Sequence, residues 1–415
     1  MNQPRSSASV LVVILFVLLL IGIMWGNYHF AEYNIAGEGF SIQWISIRSL
    51  VTEGHSPYTD IVTAQIQETV KEENSFSGGN SPKFTSPLYS GVVILPFTLT
   101  GNIILARALW STVQLVIVFM ILVLSLRLTR WKPSWYIFFL YILFTIFSYH
   151  VVIPWLDGGL SIWAALFLVV AFLAIYNNRN EVGGVFLALS AIQPQMVVLS
   201  VVFILLWAAS QRRKLLILWF FLTIIFLSII GLFLVPDWII QYIRLLYKFQ
   251  QNYPPGTPGT LFSNTWPGLG KQLGWLISGA SAVILIIEWW MALKKDFRWF
   301  LWTASLTIVI SQWIGIPTIP GNFSGLILPL VLVLAMLTER WPRGGQLVAV
   351  LVSILLLGWQ WALFYLNLAS SQPNMQLNLI IPLPLVLIIG LYWVRWWAAK
   401  PRRLLIEELR LSETY

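Results

Sequence analysis

Charged side chains that could take part in chemistry are concentrated in a short stretch that follows the first apolar segment. Residues 37–60 contain Glu38, His55 and Asp60. A carboxylate at such a place can accept a proton from a sugar or lipid hydroxyl, and an imidazole can assist or bind a phosphate. The alternative is that each of these charges only solvates an exposed loop.

Further charged residues lie at or near the ends of later apolar segments. Asp157 precedes the fourth segment, where it can serve as an alternative base or cap the start of a helix. Arg107 lies near the start of the second segment, where an unpaired cation is costly. We expect it either to pair with an acid of residues 37–60 or to contact a phosphate. The best candidates for holding a phosphate are Arg244, Lys248 and Lys271.

The elements that must position these residues are membrane helices. Hydrophobic residues make up 58% of the 415 residues, charged residues 10%, and the mean hydropathy is +0.79. Apolar runs long enough for bilayer-spanning helices recur along the chain. We predict an all-α polytopic membrane protein, a single integral membrane domain over 1–415. Its apolar segments are 8–26, 103–126, 134–155, 159–176, 183–192, 195–209, 215–235, 274–293, 298–316, 322–338, 345–366 and 378–396.

The distribution of basic residues predicts the orientation. With the N-terminus inside, the inner connections hold 18 of the 25 Lys and Arg residues, whereas the outer ones hold nine of the 16 acids. The positive-inside rule then places both termini in the cytoplasm and the polar chemistry outside the plasma membrane. The outer face has two long loops, 27–102 and 236–273, and 397–415 is a basic cytoplasmic tail.

The same distribution excludes several kinds of partner. The net charge of +9 is a topology signal, so we expect contact with anionic lipid headgroups and no nucleic acid. The chain has no cysteine and three histidines. This composition argues against a disulfide framework and a histidine-built metal centre, and we expect no cofactor.

The first loop has the pattern of an amphipathic helix. Phe40, Trp44, Ile47 and Val51 recur at helical spacing. We expect a helix of about a dozen residues in the plane of the membrane surface, anchored by Trp44. A second helix is predicted in "FTSPLYSGVVILPF". Between the fifth and sixth segments, Gln193-Pro194-Gln195 predicts either a broken or re-entrant pair or a buried, Pro-kinked helix.

The order of these features resembles glycosyltransferase family 87 of the C-superfamily of membrane glycosyltransferases. The resemblance rests on one span, an outer acid, a Phe-x-x-x-Trp helix, "EGHSPY", a variable loop, "SPLY…LPF" and a second span with Trp110. It implies a bundle of about 11–12 transmembrane helices. It also implies an inverting hexosyltransferase that moves a mannose-like sugar from a polyprenyl-phosphate donor to a lipid or glycan acceptor at the extracytoplasmic face.

The chain departs from the family pattern at several polar positions. Gly39 stands where the family has an aspartate, and Glu38 is the nearest carboxylate, so the resemblance favours Glu38 as the base. Tyr58 keeps the family position of the Gly-x-x-Pro-Tyr motif, and Asn322 stands where a histidine is common. Asp60 and Asp157 remain alternative bases. The competing interpretation is a non-catalytic family member or a lipid or polysaccharide transporter, although no inverted repeat supports transport.

Overall fold

The computed structural model describes residues 5–33, 38–71, 83–252, 262–263, 266, 268–314, 320–341, 344–370 and 382–399. These residues form an all-α protein, as predicted. The N-terminal part contains α1 (Arg5–Tyr33), α2 (Glu38–Glu53), α3 (Asp60–Lys71), a 3-10 turn (Leu88–Ser90) and α4 (Gly91–Thr98).

The middle of the chain supplies the helices that follow the first loop. They are α5 (Ile103–Thr129), α6 (Trp135–Phe147), α7 (Tyr149–Asp157), α8 (Ser161–Tyr176), α9 (Asn180–Ser190), α10 (Pro194–Ser210), α11 (Lys214–Leu234) and α12 (Trp238–Asn252). The C-terminal part contains α13 (Gly270–Ala292), α14 (Phe297–Ser311), a 3-10 helix (Pro320–Leu326), α15 (Ile327–Arg340), α16 (Gly345–Ser370), α17 (Pro382–Trp393) and α18 (Arg395–Ala399).

Seven helices within the described residues are long and apolar enough to cross a membrane, and the bent pair α6–α7 makes eight. Eight of the twelve predicted segments correspond to these spans. The predicted segments 159–176, 183–192, 195–209 and 298–316 correspond to α8, α9, α10 and α14, which have 11 to 17 residues. These four are shorter than the roughly 20 residues that a straight span requires.

Helix α5 is the centre of the bundle, because it packs against α1, α8 and α15. Its fully buried Trp110 contacts three aromatic rings from other elements. The ring stacks on Trp163 of α8 at 5.4 Å, lies edge-on to Phe97 of α4, and packs against Phe40 of α2. One tryptophan therefore joins the membrane bundle to the first loop.

The predicted span 134–155 is not one straight helix. Ser148 has an extended backbone (φ −61°, ψ 132°) and separates α6 from α7, which meet at a bend of 49°. The break between α9 and α10 covers Ala191 to Gln193, and Pro194 begins α10. Proline is suited to that position because its missing N–H would be unpaired in any case.

Helix α2 is longer and more deeply buried than the amphipathic pattern predicts. It has 16 residues and packs against α3 and α4. Trp44 is not a lipid anchor, because its indole is buried and donates a hydrogen bond to the Phe97 carbonyl at 3.1 Å. Arg48 stacks on Trp44 and donates to the Thr98 carbonyl, while Val51 is exposed. The first loop is therefore a folded unit, and protein rather than lipid covers the buried side of α2.

Candidate functional site

Three side chains of α5 hold the turn between α7 and α8. Arg107, Trp110 and Gln114 lie at i, i+3 and i+7, so they share one helix face. They donate hydrogen bonds to the carbonyls of Leu156, Gly158 and Gly159 at 2.9, 2.8 and 2.8 Å. The last carbonyls of a helix lack partners within it, so these donors fix the C-terminal end of α7.

The turn itself depends on glycine. Gly158 has φ +73° and donates its N–H to the Pro154 carbonyl, which is a left-handed helix C-cap. A Cβ at Gly158 would lie 2.6 Å from the Cβ of Phe40. The end of α7 therefore lies directly against the beginning of α2.

Asp157 occupies the space beside Gly39. Its Oδ1 accepts a hydrogen bond from the Gly39 N–H at 3.0 Å, and the Gly159 N–H also donates to the carboxylate. A Cβ at position 39 would overlap Oδ2 of Asp157 and would lie 2.9 Å from its Cγ. The Asp157 carboxylate, at the end of α7, thus fills the space that a side chain at position 39 of α2 would take. Asp157 ends α7, so the prediction that it lies at a helix start is wrong.

Two further charges act on this carboxylate. Glu38 is next to Gly39 in the first turn of α2, and its negative charge opposes that of Asp157. The buried guanidinium of Arg107 offsets it with a positive charge. The side chain of Asp157 is exposed to solvent at this junction of α2 with the end of α7. The site can therefore offer a fixed carboxylate to an incoming hydroxyl.

One family model matches the part of the chain that contains Arg107 and Asp157. The model of glycosyltransferase family 87 matches residues 84–317, more than half of the chain. The chain belongs to glycosyltransferase family 87. Its membership and its membrane helices make it a membrane glycosyltransferase, and the predicted family is confirmed. The chain matches no curated protein and no solved structure.

The family match divides the predicted site residues. Arg107 and Asp157 lie inside the matched range, whereas Glu38 and Asp60 precede it. The structure brings Glu38, Arg107 and Asp157 together. Asp60 lies apart from them, at the first residue of α3, beyond the far end of α2. Because α2 has 16 residues, its two ends are separated by about 22 Å.

His55 belongs to the same distant end of the glycosyltransferase's first loop. Its ring lies 3.1 Å from the carboxylate of Glu53, which also accepts hydrogen bonds from Ser49 and Gln65. These bonds hold the pKa of Glu53 below its usual value, the bond from Gln65 having the largest effect. They join α2 to α3, so His55 takes part in a local surface network.

The remaining predicted binding residues are distributed over three elements. The Tyr58 hydroxyl donates to the Ser86 carbonyl at 2.8 Å, and its ring packs against Tyr242 of α12. Arg244 is exposed on α12, and Lys271 is exposed at the start of α13. Asn322 is buried in the 3-10 helix that packs against α7 and α8. The backbone of Lys248 lies in α12, and its side chain is outside the described residues.

Helix α12 connects the second long loop of the enzyme to the first. Ser56 donates a hydrogen bond to Gln241 at 2.9 Å, and Trp238 lies edge-on to Tyr89. The ring contact between Tyr58 and Tyr242 belongs to the same junction. Arg244 therefore lies on a helix that is docked against the first loop.

Sequence reasoning missed the roles of Gln114 and Gly39. Gln114 is a fully buried polar residue in an apolar span, and its spacing from Arg107 and Trp110 is a signal that was present in the sequence. The role of Gly39 had no local signal. It depends on Asp157, which is 118 residues away in the chain.

Proposed function

We propose that this glycosyltransferase is an inverting hexosyltransferase. It transfers a mannose-like sugar from a polyprenyl-phosphate donor to a hydroxyl group of a lipid or glycan acceptor. The proposal is supported by the family, by the membrane helices and by a solvent-accessible carboxylate at the first loop. The observation that carries it is the Asp157 carboxylate held by backbone N–H groups beside Gly39.

In this proposal Asp157 is the general base. The acceptor oxygen attacks the anomeric carbon of the sugar from the face opposite the phosphate. The bond between that carbon and the phosphate oxygen breaks, and the polyprenyl phosphate leaves with the bonding electrons. Asp157 takes the acceptor proton, so charge and atoms balance. A single displacement of this kind inverts the anomeric centre, and a positioned base contributes about 10²–10⁴-fold to such a step.

The other predicted residues take supporting roles. Arg107 positions Asp157 through the Leu156 carbonyl. Arg244, Lys248 and Lys271 are the proposed partners of the donor phosphate, since cations stabilise the charge of a phosphate leaving group. Tyr58 and His55 shape the first loop, and Glu38 is the second carboxylate beside the sugar. Asn322 is proposed to face the substrate from the 3-10 helix.

The proposed site is on the extracytoplasmic face of the plasma membrane. The excess of Lys and Arg on the other side of the membrane favours this orientation, with both termini in the cytoplasm. A lipid-linked donor lies in the membrane with its phosphate at the surface. A folded loop at the helix ends is suited to meet it there.

The test compares Asp157→Asn with Glu38→Gln in purified protein reconstituted into liposomes. The substrates are radiolabelled polyprenyl-phosphate mannose and an extract of total membrane lipid, and donor loss is measured together with labelled product. We expect Asp157→Asn to lower the rate by at least 10²-fold and Glu38→Gln to lower it less. Asp237→Asn is the matched control, because this carboxylate contacts Gln241 of α12 and has no role in the proposed reaction. A normal rate in Asp157→Asn with a lost rate in Glu38→Gln would assign the base to Glu38.

The donor is tested in the same preparation. The glucose, galactose and arabinose esters of the same polyprenyl phosphate are compared with the mannose ester. We expect the mannose ester to be consumed fastest. If wild-type protein consumes none of the four donors, the proposal that it uses a lipid-phosphate sugar donor is wrong. Analysis of the product's anomeric configuration checks inversion.

A further inference from the structure

Helix α12 carries a row of large apolar side chains on its exposed side. Ile240, Ile243 and Tyr247 are 62%, 59% and 68% exposed. They lie at i, i+3 and i+7, so they share one face of the helix. Large apolar side chains that lie together on an exposed face indicate an interaction surface. The proposed sugar transfer makes no use of these three residues.

The opposite face of α12 is fixed to the first loop. Trp238, Gln241 and Tyr242 make the two ring contacts and the hydrogen bond that join this helix to the first loop. Because each turn takes 3.6 residues, the centre of this docked face is about half a turn around the helix from the centre of the apolar face. The first loop therefore covers one side of α12, and the apolar face points the other way.

Helix α12 is held at the end of a membrane span. The span is α11 (Lys214–Leu234), and the indole of Trp238 folds back on it to donate to the Ser228 carbonyl at 3.4 Å. Helix α12 has 15 residues, a length of about 22 Å, and it includes the polar Gln241 and Arg244. It is too short and too polar to cross a bilayer itself. The helix therefore lies at the depth where the span meets the lipid headgroups.

An apolar face with a cation at its edge fits the surface of a bilayer. Arg244 is exposed and follows Ile243, so it lies at the edge of the apolar face. In helices that lie on membranes, the apolar face enters the boundary between headgroups and acyl chains. A long cationic side chain reaches the phosphates from there, and tyrosine is enriched at the same depth. Phospholipids at the end of α11 supply partners for both parts of this surface.

We propose that α12 lies in the membrane surface. Ile240, Ile243 and Tyr247 insert among the upper parts of the phospholipid acyl chains, and Arg244 is at the level of the phosphates. Helix α12 then lies between the first loop and the lipid, and it attaches the first loop to the bilayer. This surface goes beyond the proposed function and does not rest on it, because any activity of the first loop is compatible with it.

The experiment measures the contact of single positions with lipid. Because the chain contains no cysteine, one introduced cysteine can carry a bimane label at a single position. Full-length protein is reconstituted into phosphatidylcholine liposomes with or without phosphatidylcholine brominated near the top of its acyl chains, which quenches the label. Ile61→Cys is the matched control, since Ile61 is an isoleucine of 55% exposure on α3 of the first loop. We expect the label at Ile243→Cys to be quenched about threefold more strongly than the label at Ile61→Cys.

A second measurement tests the apolar face itself. In a chain labelled at Tyr247→Cys, the double change of Ile240→Gln and Ile243→Gln should lower quenching to the level of the control. The docked face is checked separately with Ser56→Cys and Gln241→Cys, which replace two side chains that are hydrogen-bonded at 2.9 Å. A short bifunctional maleimide should cross-link this pair with and without the two glutamines. Lost quenching with unchanged cross-linking assigns the loss to lipid contact.

Four results would overturn the proposal. Weak quenching at Ile243→Cys would mean that water or another segment of the chain covers the apolar face. Equal quenching at Ile243→Cys and Ile61→Cys would mean that lipid contact is not particular to α12. Unchanged quenching with the two glutamines would mean that the isoleucines do not insert. Loss of the cross-link together with quenching would mean that they hold the helix on the first loop instead.

Discussion

Replacing Gly39 by alanine places a methyl group in the space that the Asp157 carboxylate occupies. The new Cβ would overlap Oδ2 and would lie 2.9 Å from Cγ and 3.0 Å from the Gly159 nitrogen. Ordinary contact begins at 3.4 Å, so Cγ has to move by about half an ångström and Oδ2 by more. The bond from the Gly39 N–H to Oδ1 would be strained by the same movement.

The expected effect is a loss of activity with little loss of stability. A misplacement of about 1 Å in a catalytic group can cost about 10²-fold in rate, which equals about 2.7 kcal/mol in activation free energy. In contrast, Gly→Ala within a helix favours the folded helix by about 1 kcal/mol, which offsets part of the overlap. We therefore expect kcat/KM to fall about 100-fold while the melting temperature changes little.

The assay is the donor-consumption measurement in liposomes, run beside thermal unfolding in detergent. Gly358→Ala is the matched control, because a Cβ there meets no atom within 4 Å. The double variant Gly39→Asp with Asp157→Ala returns a carboxylate to the same space from α2, and we expect it to recover part of the rate. A normal rate in Gly39→Ala would refute the view that Asp157 acts from this position.

The remaining predictions concern other charged groups. Arg107→Met should lower transfer at least tenfold and lower the melting temperature, since it leaves the Leu156 carbonyl without its donor; Arg107→Lys should restore part of both. Glu288→Leu should destabilise the protein by about 1–3 kcal/mol, because it removes the partner that lies 3.0 Å from Arg395. The Arg395 side chain is about one-third exposed, so water reduces this cost. Adding Arg395→Met to Glu288→Leu should recover stability. Because the pKa of Glu53 is lowered in the folded protein, its contribution to stability is present above pH 4.5 and is lost as acid protonates it. Glu53→Gln should remove this part of the pH dependence, as measured by thermal unfolding between pH 3 and 7.

The membrane architecture could be predicted because hydrophobic length is a local property. All twelve apolar segments correspond to helices, and two helices of the first loop, α2 and α4, were expected from spacing and proline positions, whereas α3 was not. The bend at Ser148 was missed, since 134–155 is predominantly apolar and its one proline, Pro154, lies six residues after the bend. The burial of Trp44 was also missed, because an amphipathic pattern does not say whether lipid or protein covers the apolar face.

The candidate site was only partly accessible to prediction for a related reason. Glu38, Arg107 and Asp157 were each identifiable as charged residues at segment ends. Their meeting depends on how α2 packs against the turn after α7, and the sequence carries no local sign of that packing. The same holds for the pairing of Glu288 with Arg395 of α18, because the two residues are 107 positions apart in the chain.

The contact between Gly39 and Asp157 bears on how catalytic residues are recognised among diverged relatives. The space between α2 and the α7–α8 turn has room for one carboxylate, and either side can supply it. Among relatives, the residues at these two positions should therefore vary together. An aspartate at position 39 should occur with a small residue at position 157, or the reverse. A motif that inspects position 39 alone would class such a protein as inactive, although the acid has only moved to the facing helix.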